Sequence, residues 1–366
     1  MLLCGAVPVQ AKLISANAAT LAAAWSAALP GDTIKLSGTF GLTRLQYKTS
    51  AKAITLDATK ATFTDTLNIN RVDGLNVVGG HFGSTTGPTQ YGRAVVIYGG
   101  SNISFSKPVV VGNAGEQGIA FNDTVNASVW NGSFSNNRSA IGMTRVTNGA
   151  LRGNKIYGAV SDGIDIAGSH NVTATYNTCS KGAPGPGVHP DCIQLWSIAG
   201  LPVQSDIMIA HNSATGPTQG FTSFDPAKGG GLRIWMLHNT VYTSYSQGIA
   251  CYGCVDSNIS YNSVRTIAGS AHMTNINIIG GSNNVVLGNT IGAFTRPAAS
   301  PTLDEFSTTD LAPGDFSLAR SEASSFEFSA SESMAAVPEP SSWILLTAGF
   351  GMAGAAVRRS RRVVAA

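Results

Sequence analysis

The apolar residues of this chain fall in short runs, and where they alternate with polar residues the period is two. In Ile164-Asp165-Ile166 and Ile193-Gln194-Leu195 that period predicts strands with the Ile and Leu facing inward and Asp165 and Gln194 facing outward. The strands recur. Segments LRGNKIYG, ATYNTCSK, IAHNSATG, MLHNTVYT, SYNSVRT and VLGNTIGA each place an Asn after a strand-like run: Asn154, Asn177, Asn212, Asn239, Asn262 and Asn289. The intervals are 23, 35, 27, 23 and 27 residues, which suits the coils of a solenoid with loops inserted on one face. At a tight bend Asn tolerates a left-handed backbone, and its amide can bond to neighbours in adjacent coils. A second stack, AIGMT, GIDIAG, CIQLW, FTSFD, GIACY and NINII, precedes the Asn positions. An antiparallel sandwich is disfavoured because no hairpin signals separate successive strands. The predicted fold class is all-β: a single-stranded parallel β-helix over residues 12–295.

The ends of the chain read differently. ANAATLAAAWSAALPGDTIKLSGTFG predicts a short amphipathic helix followed by the first strand, an N-terminal helical cap over the hydrophobic end of the stack. Residues 1–11, with an apolar start and the small-residue site Val9-Gln10-Ala11, are expected to be the truncated end of a secretion signal. Residues 296–336 are rich in Ser, Ala, Pro and acids and read as a disordered linker. In residues 337–366 a Pro338-Glu339-Pro340 triplet precedes the apolar run 343–357, then Arg358, Arg359, Arg361 and Arg362. Those 15 apolar residues predict a C-terminal helix about 22 Å long, with the Arg cluster as a stop to transfer.

Charge and cysteines sharpen this picture. Charged residues make up only 12% of the chain, and mean hydropathy is +0.11, which is no multi-span membrane profile. Residues 1–300 hold 18 Lys/Arg against 12 Asp/Glu. A mildly basic body suits an acidic polymer, and the absence of any Lys/Arg run interleaved with aromatics argues against nucleic acid. Without Cys4, four cysteines remain, compatible with two disulfides or with buried thiols. Cys179 and Cys192 bracket the loop KGAPGPGVHPD, and a lone Cys251-x-x-Cys254 has no second pair to hold zinc.

That loop occupies the longest interval, where solenoids commonly build a binding surface. It brings His189 and Asp191 to the coil of Asp162 and Asp165, where Asp162 and Asp191 are expected to stack. Arg145 is expected near the same face, Gln194 and Trp196 on the following strand, and Asp225, Lys228 and Arg233 from the next coil. Acids and amides hold sugar hydroxyls, and an aromatic face covers the C–H side of a ring. For uronate lysis or epimerisation, Arg145, Lys228 or an Asp-bound cation would neutralise the sugar carboxylate, and His189 would act as base. For glycoside hydrolysis, stacked carboxylates would divide the acid and base roles. Asp162, Asp165 and Asp191 could hold Ca²⁺, although no dense acidic loop is present. The same three residues equally suit turn capping or a polar ladder, and Trp235 reads as packing.

Taken together, the Asn-bearing coils and the helical cap resemble the pectate-lyase-like superfamily of right-handed parallel β-helices. More narrowly, SDGIDIAGSHNVT and PDCIQLWS resemble the Asn-Thr-Asp-Gly and Asp-Asp-Cys-Ile motifs of polygalacturonases. That likeness puts Asp162 and Asp191 in the places of two catalytic acids, with Pro190 standing where the middle acid belongs and the Gly-His-Gly motif missing. Leu232-Arg233-Ile234 loosely resembles the family's Arg-Ile-Lys. The tail resembles the PEP-CTERM signal, which implies an exported protein of the Gram-negative envelope that crosses the inner membrane transiently and is cut by an exosortase near Pro338-Glu339-Pro340. The expected function is lyase or epimerase action on an acidic extracellular polysaccharide. The alternatives are a polygalacturonase-like hydrolase and a non-catalytic matrix or adhesion protein.

Overall fold

The computed structural model describes residues 10–185, 188, 190–224 and 230–292. They form 28 strands and one helix, wound into a solenoid of about eleven turns in which each strand pairs in parallel with its counterpart one coil away. The signal-like start up to residue 9, the linker and the apolar tail lie outside the described residues.

Three sheets run the length of the stack. From the middle of the chain onward, the first contains Gln117–Asn122, Ile141–Thr144, Ile164–Ala167, Asp191–Trp196, Gln219–Ser223, Gln247–Tyr252 and Asn275–Ile279. The second contains Val125–Trp130, Thr147–Arg152, His170–Thr175, Ser205–Ala210, Leu232–Leu237, Asn258–Ser260 and Val285–Leu287. The third contains Ser133–Ser135, Lys155–Tyr157, Thr178–Ser180, Ser213–Gly216, Thr240–Thr243, Ser263–Thr266 and Thr290–Ile291. Inward residues share one core: Ile141, Ile164 and Ile193 from the first sheet, Val172 and Ile207 from the second, Phe134 and Val241 from the third. In the early coils Phe40, Phe63 and Phe82 stack inside at centroid separations of 4.9 and 5.0 Å, spacings set by the distance between parallel strands.

The predicted cap helix is Leu21–Ala27, which buries Leu21, Ala24 and Trp25. The structure adds a strand before it, Leu13–Ala16, paired with Thr33–Phe40. Four residues with a single apolar alternation, LISA, are too short to reveal a strand by pattern. Both cysteine pairs form disulfides, Cys179–Cys192 and Cys251–Cys254.

The Asn positions form a ladder between the second and third sheets. Asn177 Oδ1 accepts the backbone N–H of Asn154 at 3.0 Å and its Nδ2 at 2.9 Å, while Asn177 Nδ2 donates to Leu151 O at 2.9 Å. The same pattern passes through Asn212, Asn239, Asn262 and Asn289. One detail of the expectation changes. The left-handed backbone belongs to the residue before each Asn: Gly153, Tyr176, His211, His238, Tyr261 and Gly288. The Asn amide is thereby turned inward, and the side chain before it is thrown outward.

Candidate functional site

Asp162 and Asp191 do come together where the chain turns from the third sheet into the first. Asp162 Oδ1 accepts the backbone N–H of Asp191 at 2.9 Å, and Ser161 Oγ donates to Asp162 Oδ2 at 3.0 Å. Asp191 Oδ1 in turn accepts the Thr222 hydroxyl at 2.8 Å. The two residues are 2% and 1% exposed. The polar chain Ser161–Asp162–Asp191–Thr222 thus crosses three coils. The Cys179–Cys192 bridge lies beside it, joining the third-sheet strand Thr178–Ser180 to the first-sheet strand Asp191–Trp196 across the base of loop 181–191. A cavity of about 10 Å³ opens there, with Ser161, Gly163, Pro190, Asp191 and Thr218 in its wall, room for about one water molecule. His189, Asp225 and Lys228 lie outside the described residues.

Asp165 and Gln194 stack in register as the alternation requires, followed by Thr222. Both are buried. Trp196 sits across from Ala167 and is 4% exposed, so its ring is packed and not offered to a sugar. Among the described residues no group of three or more His, Cys, Asp or Glu converges as a metal site.

Two expectations are corrected. Arg145 follows its first-sheet strand whereas Asp162 precedes the next one, so a whole strand separates them. It takes φ +60° at the corner into the second sheet, where its guanidinium pairs bidentately with Asp123 of the preceding coil, a bond that raises its pKa further. Arg233 lies in the second sheet, not beside the first. Its Nε and Nη2 donate to Asp206 at 2.5 and 2.6 Å. Burial works to raise the Asp206 pKa, but the hydrogen bonds from Arg233 and Ser205 outweigh it and leave the carboxyl below its usual value. Asp206 and Arg233 belong to a column of left-handed positions running through Asn102, Asn126, Asn148, Asn171, Asp206, Arg233, Asp256 and Asn283. Trp235 packs with Met208, Ala210 and Leu237, as expected; alternation against Ile234 and Met236 places this cluster on the outer side of the second sheet.

Sequence reasoning missed two neighbours of Asp191. Thr222 could have been found as the register partner of Gln194. Tyr245, whose phenol pKa is raised by burial and then by the charge of Asp191, carries no repeat signal.

Residues 66–195 match the family described as the right handed beta helix region. The solenoid is a right-handed parallel β-helix. This β-helix superposes on a surface adhesin of Streptococcus pneumoniae, PfbA, with a TM-score of 0.54 at 12% identity, covering 72% of this chain and 80% of that one. It superposes on an alginate lyase from Paenibacillus sp. str. FPU-7 with a TM-score of 0.54 at 16% identity, over 77% of this chain and 99% of that one. At such identities the likeness is one of fold. No curated protein matches the sequence. Residues 336–362 match the PEP-CTERM protein-sorting motif, which marks the β-helix as an exported protein sorted to the cell surface. Among the described residues no helix is long and apolar enough to cross a membrane; the apolar run 343–357 lies outside them.

Proposed function

We propose that this exported β-helix binds an acidic extracellular polysaccharide at the cell surface, and that Asp162 and Asp191 serve the scaffold and not turnover. The observation that carries this reading is the engagement of the two carboxylates. A catalytic acid or base must reach a proton on the substrate, whereas Asp162 caps the Asp191 backbone and Asp191 holds Thr222, both nearly inaccessible. Freeing either would strand a buried partner. The polysaccharide part is supported by the basic body, by the sorting motif, and by the fold shared with an alginate lyase. A Gram-negative envelope, cleavage by an exosortase near Pro338-Glu339-Pro340 and brief passage through the inner membrane complete the proposal, supported by the same motif.

A second reading keeps lyase or epimerase chemistry, with His189 as base, Asp191 beside it and Lys228 on the substrate carboxylate. The Cys179–Cys192 clamp on the loop base and the Tyr245 phenol, kept protonated near Asp191, favour it. The test is to incubate the full chain with alginate and polygalacturonate, following retention on the polymer, ultraviolet absorbance from unsaturated ends and new reducing ends. Retention with neither product supports the binding reading. Absorbance lost in His189→Ala establishes the lyase, and reducing ends without absorbance point to hydrolysis.

A further inference from the structure

The acids of this β-helix are sorted by face. Among the described residues after 117, Asp165 and Asp191 lie along the first sheet, the buried Asp162 in the turn that enters it from the third, Asp123 at its corner with the second, and Asp206 and Asp256 along the second. The third sheet is different. The segments that build it and its corners, residues 131–136, 153–158, 176–181, 211–216, 238–243, 261–266 and 288–292, contain no Asp or Glu. Its outward positions form two columns fixed by the strand register. One runs Ser133, Lys155, Thr178, Ser213, Thr240, Ser263 and Thr290; the other runs Ser135, Tyr157, Ser180, Thr215, Tyr242 and Arg265. Lys155, Tyr157, Tyr242 and Arg265 are exposed, as are Thr178, Thr215 and Thr240. Lys181 follows directly, its Nζ 5.4 Å from the centroid of Tyr157 one coil back, which holds the cation over the face.

We propose that the outer face of the third sheet binds a single acidic polysaccharide chain lying along the solenoid axis, with Lys155, Lys181 and Arg265 meeting its carboxylates and Tyr157 and Tyr242 its sugar rings. The proposal rests on the acidic-polysaccharide reading above and moves its contact surface away from the loop 181–191. Charge complementarity selects the occupant: three exposed cations with no competing carboxylate across seven coils suit a polyanion. The hydroxyl columns select a sugar polymer among polyanions. Their Ser and Thr recur at about 4.8 Å per coil along the axis, so an extended sugar chain meets hydroxyl groups along its whole length. The backbone of this face is fixed by the adjoining Asn ladder, so little order has to be gained on binding.

The experiment is a binding titration of the full chain with alginate and with polygalacturonate, alongside a neutral glucan and double-stranded DNA. Lys155→Ser, Lys181→Ser and Arg265→Ser combined should weaken uronan binding about ten-fold or more. Tyr157→Ala with Tyr242→Ala should weaken it at unchanged charge, and Arg71→Ser, a cation on another corner, should leave it intact. All of these residues are exposed, and an unchanged melting curve confirms the fold. Uronan affinity untouched in the triple variant overturns the proposal while leaving the polysaccharide reading standing. Equal loss in Arg71→Ser, or DNA bound as tightly as uronan, reduces the face to a general polyanion surface and also overturns it. A wild-type chain that binds neither uronan removes the polysaccharide reading itself.

Discussion

Single residues carry this structure in two distinct ways. Asn212 supplies three kinds of bond at once: to the Asn177 backbone, to the Asn177 side chain and to Ala174 O. Asn212→Ala orphans buried groups in two coils at about 1–3 kcal/mol each, and chemical denaturation should show a clearly lower midpoint. The outward residues of the corner next to it behave differently. Tyr176, His211, His238 and Tyr261 stack at centroid separations of 5.0, 5.2 and 5.3 Å. Burial, with the neighbouring His238, holds the His211 pKa below its ordinary 6.5. His170 is also lowered, by burial and Arg233 acting against the charge of Asp206. For both, the unfolded chain takes up a proton first as the medium is acidified. Their contribution is therefore full above pH 6.5 and falls as the pH drops from there towards the folded values. Melting temperature should decline over that window, and His211→Gln with His170→Gln should flatten the slope.

At the scale of elements, what the sequence reveals depends on whether a position repeats. The Asn ladder and the inward Ile column were legible because each rung obeys the same constraint, a buried amide or a buried branched chain. Asp162 and Asp191 were brought to one turn by the same reasoning. Arg145 and Arg233 escaped it because Arg145 shares a corner column with Gly99, Asp123 and Gly168, and Arg233 a column of Asn and Asp in the second sheet, where the left-handed backbone and not the residue type is what repeats. The third-sheet face was overlooked for a related reason: what marks it is the absence of acids, visible only after the strands are assigned to sheets. The Cys179–Cys192 bridge, by contrast, joins two elements directly across a separation of 13 residues. Closing a loop of that size is worth about 3 kcal/mol in the chain-entropy account. Cys179→Ala with Cys192→Ala should lower stability by roughly that amount, and protease digestion should then cut first within residues 181–191.

On the scale of the whole molecule, the β-helix and the sorting segment are separate devices. Deleting residues 336–366 removes the sorting motif and none of the described solenoid. The shortened protein should keep the melting curve of the β-helix and fail to reach the surface, read by fractionation of the producing cells. Within the solenoid each coil touches its neighbours alone, so stability is a sum over adjacent coils.

The Asn ladder has a mechanical consequence. Its amide bonds lie along the axis, one set per coil, so tension between the two ends of the solenoid would load them in series. Coils should peel away one at a time, each step breaking one rung and releasing the chain between two Asn residues. An interval of 23 residues would yield about 8 nm of extended chain. The 35-residue interval would yield about 12 nm only after reduction of Cys179–Cys192, and before that a length close to its neighbours. Force spectroscopy would therefore read the coil lengths of this protein as a sequence of ruptures.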